Sequence, residues 1–577
     1  MERERPSRLT WFLCGVLVIT ALPFFLQFLH AMATTSLTQD EILSVRLFAS
    51  KGAMHSLTSY DLPNNHILFN VLNSFLVGEE SLSPIPARIL SFLFVLSSLV
   101  LGTAWFFRQG RAIGGALFFH GIAMNYGLLG IALQARGYGL LLFVALLSCI
   151  AACRYDTGGR AWKAVLLLSI LFGTWTVPVF LGFGAALLLI LFLLHPRKKT
   201  VFLFLIGSVC GLLPYAPHLG RVLHFATHFG DSFRRAYGSA SAVTETMSRY
   251  LLNDSVLGVD LPVIVIVLWV LFLLAALVAG IRRSRTRWSG AFALFGATVL
   301  FFLACVLLGT VPLRSTSFAA VPILFLSVLL IDEVLQRTRP ARLGNAAAVV
   351  LVLWAAVHNI GQARGLDLLP KHNLQEVDRI VTAYLPEQTS IYVTKAAKPA
   401  AFTNYFRGRI PVRLLAGPRL PDSAVVVDFD PLGGEQRCFT PEEESEPLAC
   451  FTIPQRSRTA RLYVKAPARS PIRTVRAPGD TETATGVVRI VFAGGERLRS
   501  LFVLNDRPDA FRGASAFPGE TGGEEPTPLG PPDLYDRFVV YPLGDLALDS
   551  LDLTISDEAL RQGITIREMW AYPAQWK

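Results

Sequence analysis

Residues Ala164–Leu194 read AVLLLSILFGTWTVPVFLGFGAALLLILFLL, 31 residues without a charge. A bilayer core of ~30 Å is crossed by about 20 helical residues. The stretch is therefore too long for one crossing and short for two. Both ends are basic, with Arg160 and Lys163 before it and Arg197, Lys198 and Lys199 after it. Positive residues concentrate on the cytoplasmic side of membrane proteins, so both ends belong inside and the chain must cross twice. Pro178 marks the turn of a short hairpin.

Working outward, Leu9–Leu29 is uncharged over 21 residues and lacks a small-residue cleavage site, which reads as a retained helix rather than a signal peptide. Further spans are expected at Ile89–Phe107, Ala112–Leu133, Gly137–Cys153, Val201–Leu219, Leu261–Ile281, Trp288–Leu313, Ser315–Ile331 and Asn345–Ala363. With the hairpin this makes about eleven crossings. Arg108, Arg111, Arg154, Arg282 to Arg287, Arg337, Arg339 and Arg342 then fall on the same side as the amino terminus. The long segments 30–86 and 220–260, poor in Lys and Arg for their length, fall on the other. An odd number of crossings puts the carboxyl-terminal tail outside.

Composition divides at the same place. Up to Ala363 there are 27 Lys+Arg against 14 Asp+Glu; beyond it there are 26 against 28. The whole chain of 577 residues is 52% hydrophobic and only 16% charged, where soluble domains carry about 25% charged residues. This is a membrane region followed by a soluble one. The basic excess lies between apolar runs, not on one patch, so it does not point to nucleic acid. The sequence places a membrane domain at 1–363 with an external loop at 30–86, a small α/β domain at 364–450, and a β-rich, sandwich-like domain at 451–577. Asn373–Tyr384 has helical apolar spacing, Ser390–Thr394 alternates as a strand, and β-rich runs begin near Ala460. No Cys/His cluster with metal-ligand spacing occurs. Cys438 and Cys450 suit either a disulfide in an external tail or two free thiols.

Ionisable residues at a membrane face are the informative ones. Asp40-Glu41 follows the first span and opens an apolar helical pattern over Gln39–Ser50. The pair could act as a general base toward a hydroxyl, or simply place acids in a helix's first turn. Arg136, in Gln134-Ala135-Arg136-Gly137-Tyr138, and Arg314, in Val311-Pro312-Leu313-Arg314-Ser315, are external and sit at span ends. A guanidinium fork there could hold a phosphate or snorkel toward headgroups. Tyr60 to His66 is turn-rich, and Ile67–Val77 has the spacing of an interfacial helix.

The order of these pieces resembles a family. Asp40-Glu41 follows the first helix, and Asn64-Asn65-His66 precedes an interfacial helix. Pro84-Ile85-Pro86-Ala87-Arg88 enters the second span, Ala135-Arg136-Gly137-Tyr138 the fourth, and Arg314 a late one. From Leu9 to about Ala363 this is similar to the C-type (GT-C fold) membrane glycosyltransferases, closest to the protein O-mannosyltransferase and aminoarabinose transferase group. The resemblance implies an inverting transfer of a hexosyl or pentosyl group from a polyprenyl-phosphate carrier to an external glycan, lipid or protein. Asp40 would be the base, Glu41 would orient it or the sugar, and Arg136 and Arg314 would hold the donor phosphate. Asn65, His66 and Tyr138 would contact substrate, with a structural turn as the alternative for Asn65 and His66; Arg88 would anchor a helix end. A divalent metal is compatible with this chemistry but is not indicated by the residues. The family places such enzymes in the cell (inner) membrane with the amino terminus cytoplasmic and the tail periplasmic or extracellular, or lumenal if in the endoplasmic reticulum. Two other readings fit the residues alone: a transporter or flippase of lipid-linked sugars, whose polar groups would lie at the midplane, and a non-catalytic glycan-binding scaffold.

Overall fold

The computed structural model describes residues 8–35, 37–60, 65–78, 82–123, 126–157, 159–196, 285–308, 313–337 and 341–363, with pieces of 202–221 and 270–282. In the tail it describes 374–385, 389–393, 399–406, 409–415 and the strands between 425 and 573. The chain forms two compact units, Met1–Leu368 and Leu369–Lys577.

The first unit is helical. Its elements are α1 (Arg8–Thr34), α2 (Gln39–Leu47), α3 (Ala53–Thr58), α4 (Ile67–Asn73), α5 (Pro84–Arg108), α6 (Ala112–Ala123), α7 (Tyr126–Ala132), α8 (Tyr138–Cys153), α9 (Gly159–Thr176) and α10 (Phe180–Leu194). After them come α11 (Arg285–Leu308), α12 (Leu313–Thr316), α13 (Ala320–Arg337) and α14 (Ala341–Ala363). Among the described residues four helices are long and apolar enough to cross a membrane: Trp11–His30, Pro84–Arg108, Trp288–Cys305 and Ser317–Arg337. Helices α6, α8 and α10 are shorter but equally apolar. On α1, Trp11, Val18, Ile19, Leu22 and Leu26 are exposed, an outer face suited to lipid.

The hairpin reading of Ala164–Leu194 holds at its turn: α9 stops at Thr176, Pro178 lies in the turn, and α10 restarts at Phe180. Small residues let the two arms touch. A Cβ on Gly184 would come within 2.6 Å of Ile170 Cγ2, and one on Gly173 within 2.2 Å of Phe180 Cδ1. Membrane helices pack on such small residues because lipid offers no hydrophobic drive for their association. Within the stretch read as one span, Ala112–Leu133, the described helices are α6 and α7; residues 124 and 125 between them lie outside the described set. Most of the spans expected at Val201–Leu219 and Leu261–Ile281 lies there too.

At the far end of α13, charges are buried and paired. Arg111 donates to Asp332 Oδ2 (2.9 Å), to Glu333 and to the Leu329 carbonyl. Asp332 also accepts from the Gly114 amide (3.0 Å) and the Gln336 amide (2.8 Å). Buried charge is tolerated only with such partners, and here they lock α6 to α13.

The second unit contains two sheets. In the first, β1 (Ile391–Val393) pairs parallel with β2 (Val412–Leu414) and β3 (Val425–Phe429). Strand β5 (Ala460–Lys465) pairs antiparallel with β3 and with β4 (Leu448–Ile453). The parallel β1–β2 connection carries α16 (Pro399–Phe406), as parallel crossovers require. Helix α15 (Leu374–Tyr384) precedes β1 and buries Leu374, Val377, Ile380, Val381 and Tyr384, one face at helical spacing. The other sheet is an antiparallel ladder of β6 (Ile472–Arg476), β7 (Val487–Phe492), β8 (Arg497–Asn505), β9 (Phe511–Pro518), β10 (Thr527–Pro528), β11 (Asp533–Leu534), β12 (Phe538–Ile555) and β13 (Ile566–Pro573). Strand β12 spans 18 residues. It pairs with β8 up to Ala547 and with β7 and β9 beyond, and its register with β8 shifts between Pro542 and Leu546. Val539, Tyr541, Leu551 and Leu553 fill its core side at the two-residue period of a strand. Cys438 and the Cys450 side chain lie outside the described set.

Candidate functional site

Thr38-Gln39-Asp40-Glu41 starts α2 with a capping box. The Glu41 amide donates to Thr38 Oγ1 (3.3 Å), and the Thr38 amide donates back to Glu41 Oε2 (2.7 Å). This fixes both acids in the first turn, pointing to different neighbours.

Glu41 is fully buried. Arg88, one turn into α5, donates Nε to its Oε1 (2.7 Å) and Nη2 to its Oε2 (2.8 Å), a two-point fork. The other arm of Arg88 holds the end of α1 through Thr35 O (2.8 Å) and Thr35 Oγ1 (2.7 Å). Glu41 Oε1 also accepts from the Ala135 amide (2.7 Å). Burial alone would raise the Glu41 carboxyl, but the Arg88 charge, with the Thr38 and Ala135 amides, holds it below the usual range. One carboxylate thus joins α1, α2, α5 and the loop before α8.

Its neighbour takes the next residue of that loop. Arg136 Nη1 donates to Asp40 Oδ2 at 3.0 Å. The Arg136 side chain is 5% exposed, while that of Asp40 keeps 33%. Arg136 Cζ also lies 4.9 Å from the Tyr138 ring centroid, within cation–π distance. The loop is pinned beneath by Ser91, whose hydroxyl donates to the carbonyls of Gln134 (2.7 Å) and Arg136 (3.2 Å).

His66 caps the amino-terminal end of α4 and meets Tyr138 edge-on, with ring centroids 4.8 Å apart. Space is tight. A Cβ on Gly137 would stand 2.4 Å from Thr176 Cγ2 and 3.0 Å from His66 Cβ, so only glycine fits. Burial, and then the Arg136 charge, push the His66 ring well below the ordinary histidine value.

Asn65 is committed elsewhere. Its amide donates to the carbonyls of Ser56 (3.1 Å) and Ser59 (2.6 Å), and its oxygen accepts from Asn70 (2.9 Å). Asn70 in turn accepts from Ser44 (2.8 Å). This buried ladder ties α2, α3 and α4 together, which fits the structural-turn alternative for Asn65 rather than a substrate contact.

The fold therefore gathers Asp40, Glu41, His66, Arg136 and Tyr138 from three separate segments. Arg314 lies in α12, but its side chain is outside the described set. Two partners escaped the sequence reading. The Thr38-x-x-Glu41 box announces where the Glu41 carboxylate reaches. Arg88, a buried cation one turn into an apolar helix, asks for an acid. Among the described residues no group of three His, Cys, Asp or Glu side chains could hold a metal ion.

No protein-family model and no curated protein matches the chain. Solved structures do resemble it. ArnT from Cupriavidus metallidurans bound to undecaprenyl phosphate is 11% identical, with a TM-score of 0.46, over 79% of this chain and 98% of that one. Its apo form is 12% identical, with a TM-score of 0.41 over the same shares. The arabinofuranosyltransferase AftD from Mycobacteria is 12% identical, with a TM-score of 0.39, over 99% of this chain and 60% of that one. Likeness at this level assigns neither family nor reaction; those are argued below from the residues.

Proposed function

We propose that the chain is an integral membrane glycosyltransferase of the C type. It would move a sugar from a polyprenyl-phosphate carrier to an external acceptor, with Asp40 as general base. One observation carries this: a third-exposed carboxylate held 3.0 Å from a buried guanidinium at the end of apolar spans. A lipid-linked donor presents its phosphate at that depth.

The chemistry asks little of the protein. The acceptor oxygen attacks the anomeric carbon while Asp40 takes its proton. The bond from that carbon to the carrier phosphate breaks, and the phosphate leaves with the electron pair. Arg136, joined by Arg314, stabilises the charge gathering on the phosphate oxygens. A single displacement inverts the anomeric centre. Tyr138 keeps the Arg136 guanidinium in place, and Glu41 acts through Ala135 as a positioning residue. In this reading the amino terminus is cytoplasmic, about eleven helices cross the inner or cell membrane, and the tail lies outside with the acceptor, be it glycan, lipid or protein. The tail's α/β part would extend through β5 to Lys465, beyond the boundary at residue 450 read from the sequence, and its β-rich, sandwich-like part would begin with β6 at Ile472.

The test is release of bare carrier phosphate by purified protein from a panel of polyprenyl-phosphate hexoses and pentoses. General base help is typically ~10²–10⁴-fold, so Asp40→Asn should lose turnover by that order while remaining folded. Turnover near wild type in that variant excludes Asp40 as the base.

A further inference from the structure

Of the side chains around the Asp40–Arg136 pair, His66 stands apart. It is 4% exposed, yet among the described residues neither ring nitrogen makes a hydrogen bond of ordinary geometry. The Thr176 backbone interacts with the ring without reaching that geometry. Leaving a buried donor and acceptor unsatisfied costs about 1–3 kcal/mol, so a fold retains such a group where a ligand completes it. The ring is also fixed in place: Tyr138 stands against it, and the Gly137 backbone closes over it beside Thr176.

We infer that His66 receives a substrate hydroxyl beside the Asp40–Arg136 pair, and so reads the polyhydroxylated group of the substrate rather than its phosphate. This rests on the glycosyl-transfer reading above. The chemistry follows from the neighbours. Arg136, within the same cluster, disfavours a second positive charge, and the buried ring stays neutral. A neutral imidazole offers one N–H donor and one bare nitrogen acceptor, which matches a hydroxyl that both gives and accepts. A dianionic phosphate would select a charged partner instead, and Arg136 supplies one. The division of labour is phosphate to the arginine, proton to Asp40, hydroxyl to His66. Hydroxyls belong to the transferred sugar and to a glycan acceptor alike, so both sources are probed.

The test compares full-length wild type, His66→Phe and His66→Gln. Donors are short-chain polyprenyl-phosphate glucose and arabinose with their singly deoxygenated counterparts; acceptors are methyl glycosides with theirs. Carrier-phosphate release gives kcat/KM, and melting shifts with each donor report binding independently of turnover. In wild type, one deoxygenated compound should lose about tenfold, the size of one unpaired hydrogen bond. His66→Phe should lose the same amount on the intact compound and nothing further on the deoxygenated one, the signature of a direct contact. His66→Gln should recover part of the loss. Discrimination within the donor series assigns the hydroxyl to the transferred sugar, and within the methyl glycosides to the acceptor. Equal losses on every compound, or discrimination unchanged in His66→Phe, overturn the inference and leave the ring a packing element. Absence of carrier-phosphate release from every donor in wild type would instead defeat the glycosyl-transfer reading, while full turnover in Asp40→Asn would exclude only Asp40 as the base.

Discussion

Two clusters of arginine and acid lie in the first unit, and they are built differently. In the α6–α13 cluster, Arg111, Asp332 and Glu333 spend their charges on one another, and Gly114 and Gln336 take what Asp332 has left. Asp332 is 0% exposed. In the first-loop cluster the inner pair, Glu41 with Arg88, is sealed in the same way, at 0% and 4%. The outer pair is not, since Asp40 keeps a third of its surface beside a buried Arg136. A buried pair satisfied on all sides is weak grounds for anything but architecture. A pair with one partner fixed and the other open can admit a third group. The same residue types thus serve as a lock in one place and as a candidate for chemistry in the other, and exposure separates them.

Substitutions can break that contrast, and the largest effect is expected at the open pair. Asp40→Asn should lower carrier-phosphate release by ~10²–10⁴-fold with little change in melting temperature. Arg88→Met should cost about 3–5 kcal/mol of stability, because it strands a buried carboxylate. It should also lower kcat in the molecules that remain folded, because Glu41 would lose its hold on Ala135 and so on Arg136. Arg111→Met should match Arg88→Met in lost stability, read by thermal unfolding in detergent, and leave turnover per folded molecule unchanged. If Arg111→Met slows turnover as much as Arg88→Met, the two clusters do not differ in the way described.

The smallest effect is a pH dependence at His66. Burial, and then the Arg136 charge, hold its ring well below the ordinary histidine value of about 6.5 in the folded protein, and it returns near that value when unfolded. Below about pH 6.5 the unfolded chain binds a proton that the folded one refuses. Stability is therefore lost as the pH is lowered below that value, by about 1.4 kcal/mol per unit at most. Melting temperature followed from pH 7 to 5 should fall less steeply in His66→Phe than in wild type. Equal slopes would mean that the ring takes up its proton in the folded state.

Much of the helical layout was legible because lipid imposes simple rules. The basic ends of Ala164–Leu194 demanded two crossings, and Pro178 does sit in the turn between α9 and α10. The site was legible unevenly. Asp40 and Arg136 are 96 residues apart, and nothing local links them; their order beside other short motifs did, through resemblance. The coupling of Glu41 to Arg88 and Ala135 crosses 47 and 94 residues. The Thr38-x-x-Glu41 pattern marks only the start of α2, and both contacts depend on how α5 and the loop before α8 enter the bundle. Asn65 looked as available as His66, because sequence shows side-chain chemistry but not which partners already occupy it. In the tail, strand-forming runs could be read, while pairing could not: Ala460–Lys465 lies among β-rich runs yet joins the sheet that begins at Ile391.

The most direct measurement is a cryo-EM structure of the protein with undecaprenyl phosphate. The expected result is phosphate oxygens at about 2.7–2.9 Å from the Arg136 guanidinium, on the side of Asp40 open to solvent. A phosphate seated instead beside Arg108 and Arg111, with the Asp40–Arg136 pair unaltered, would contradict the assignment.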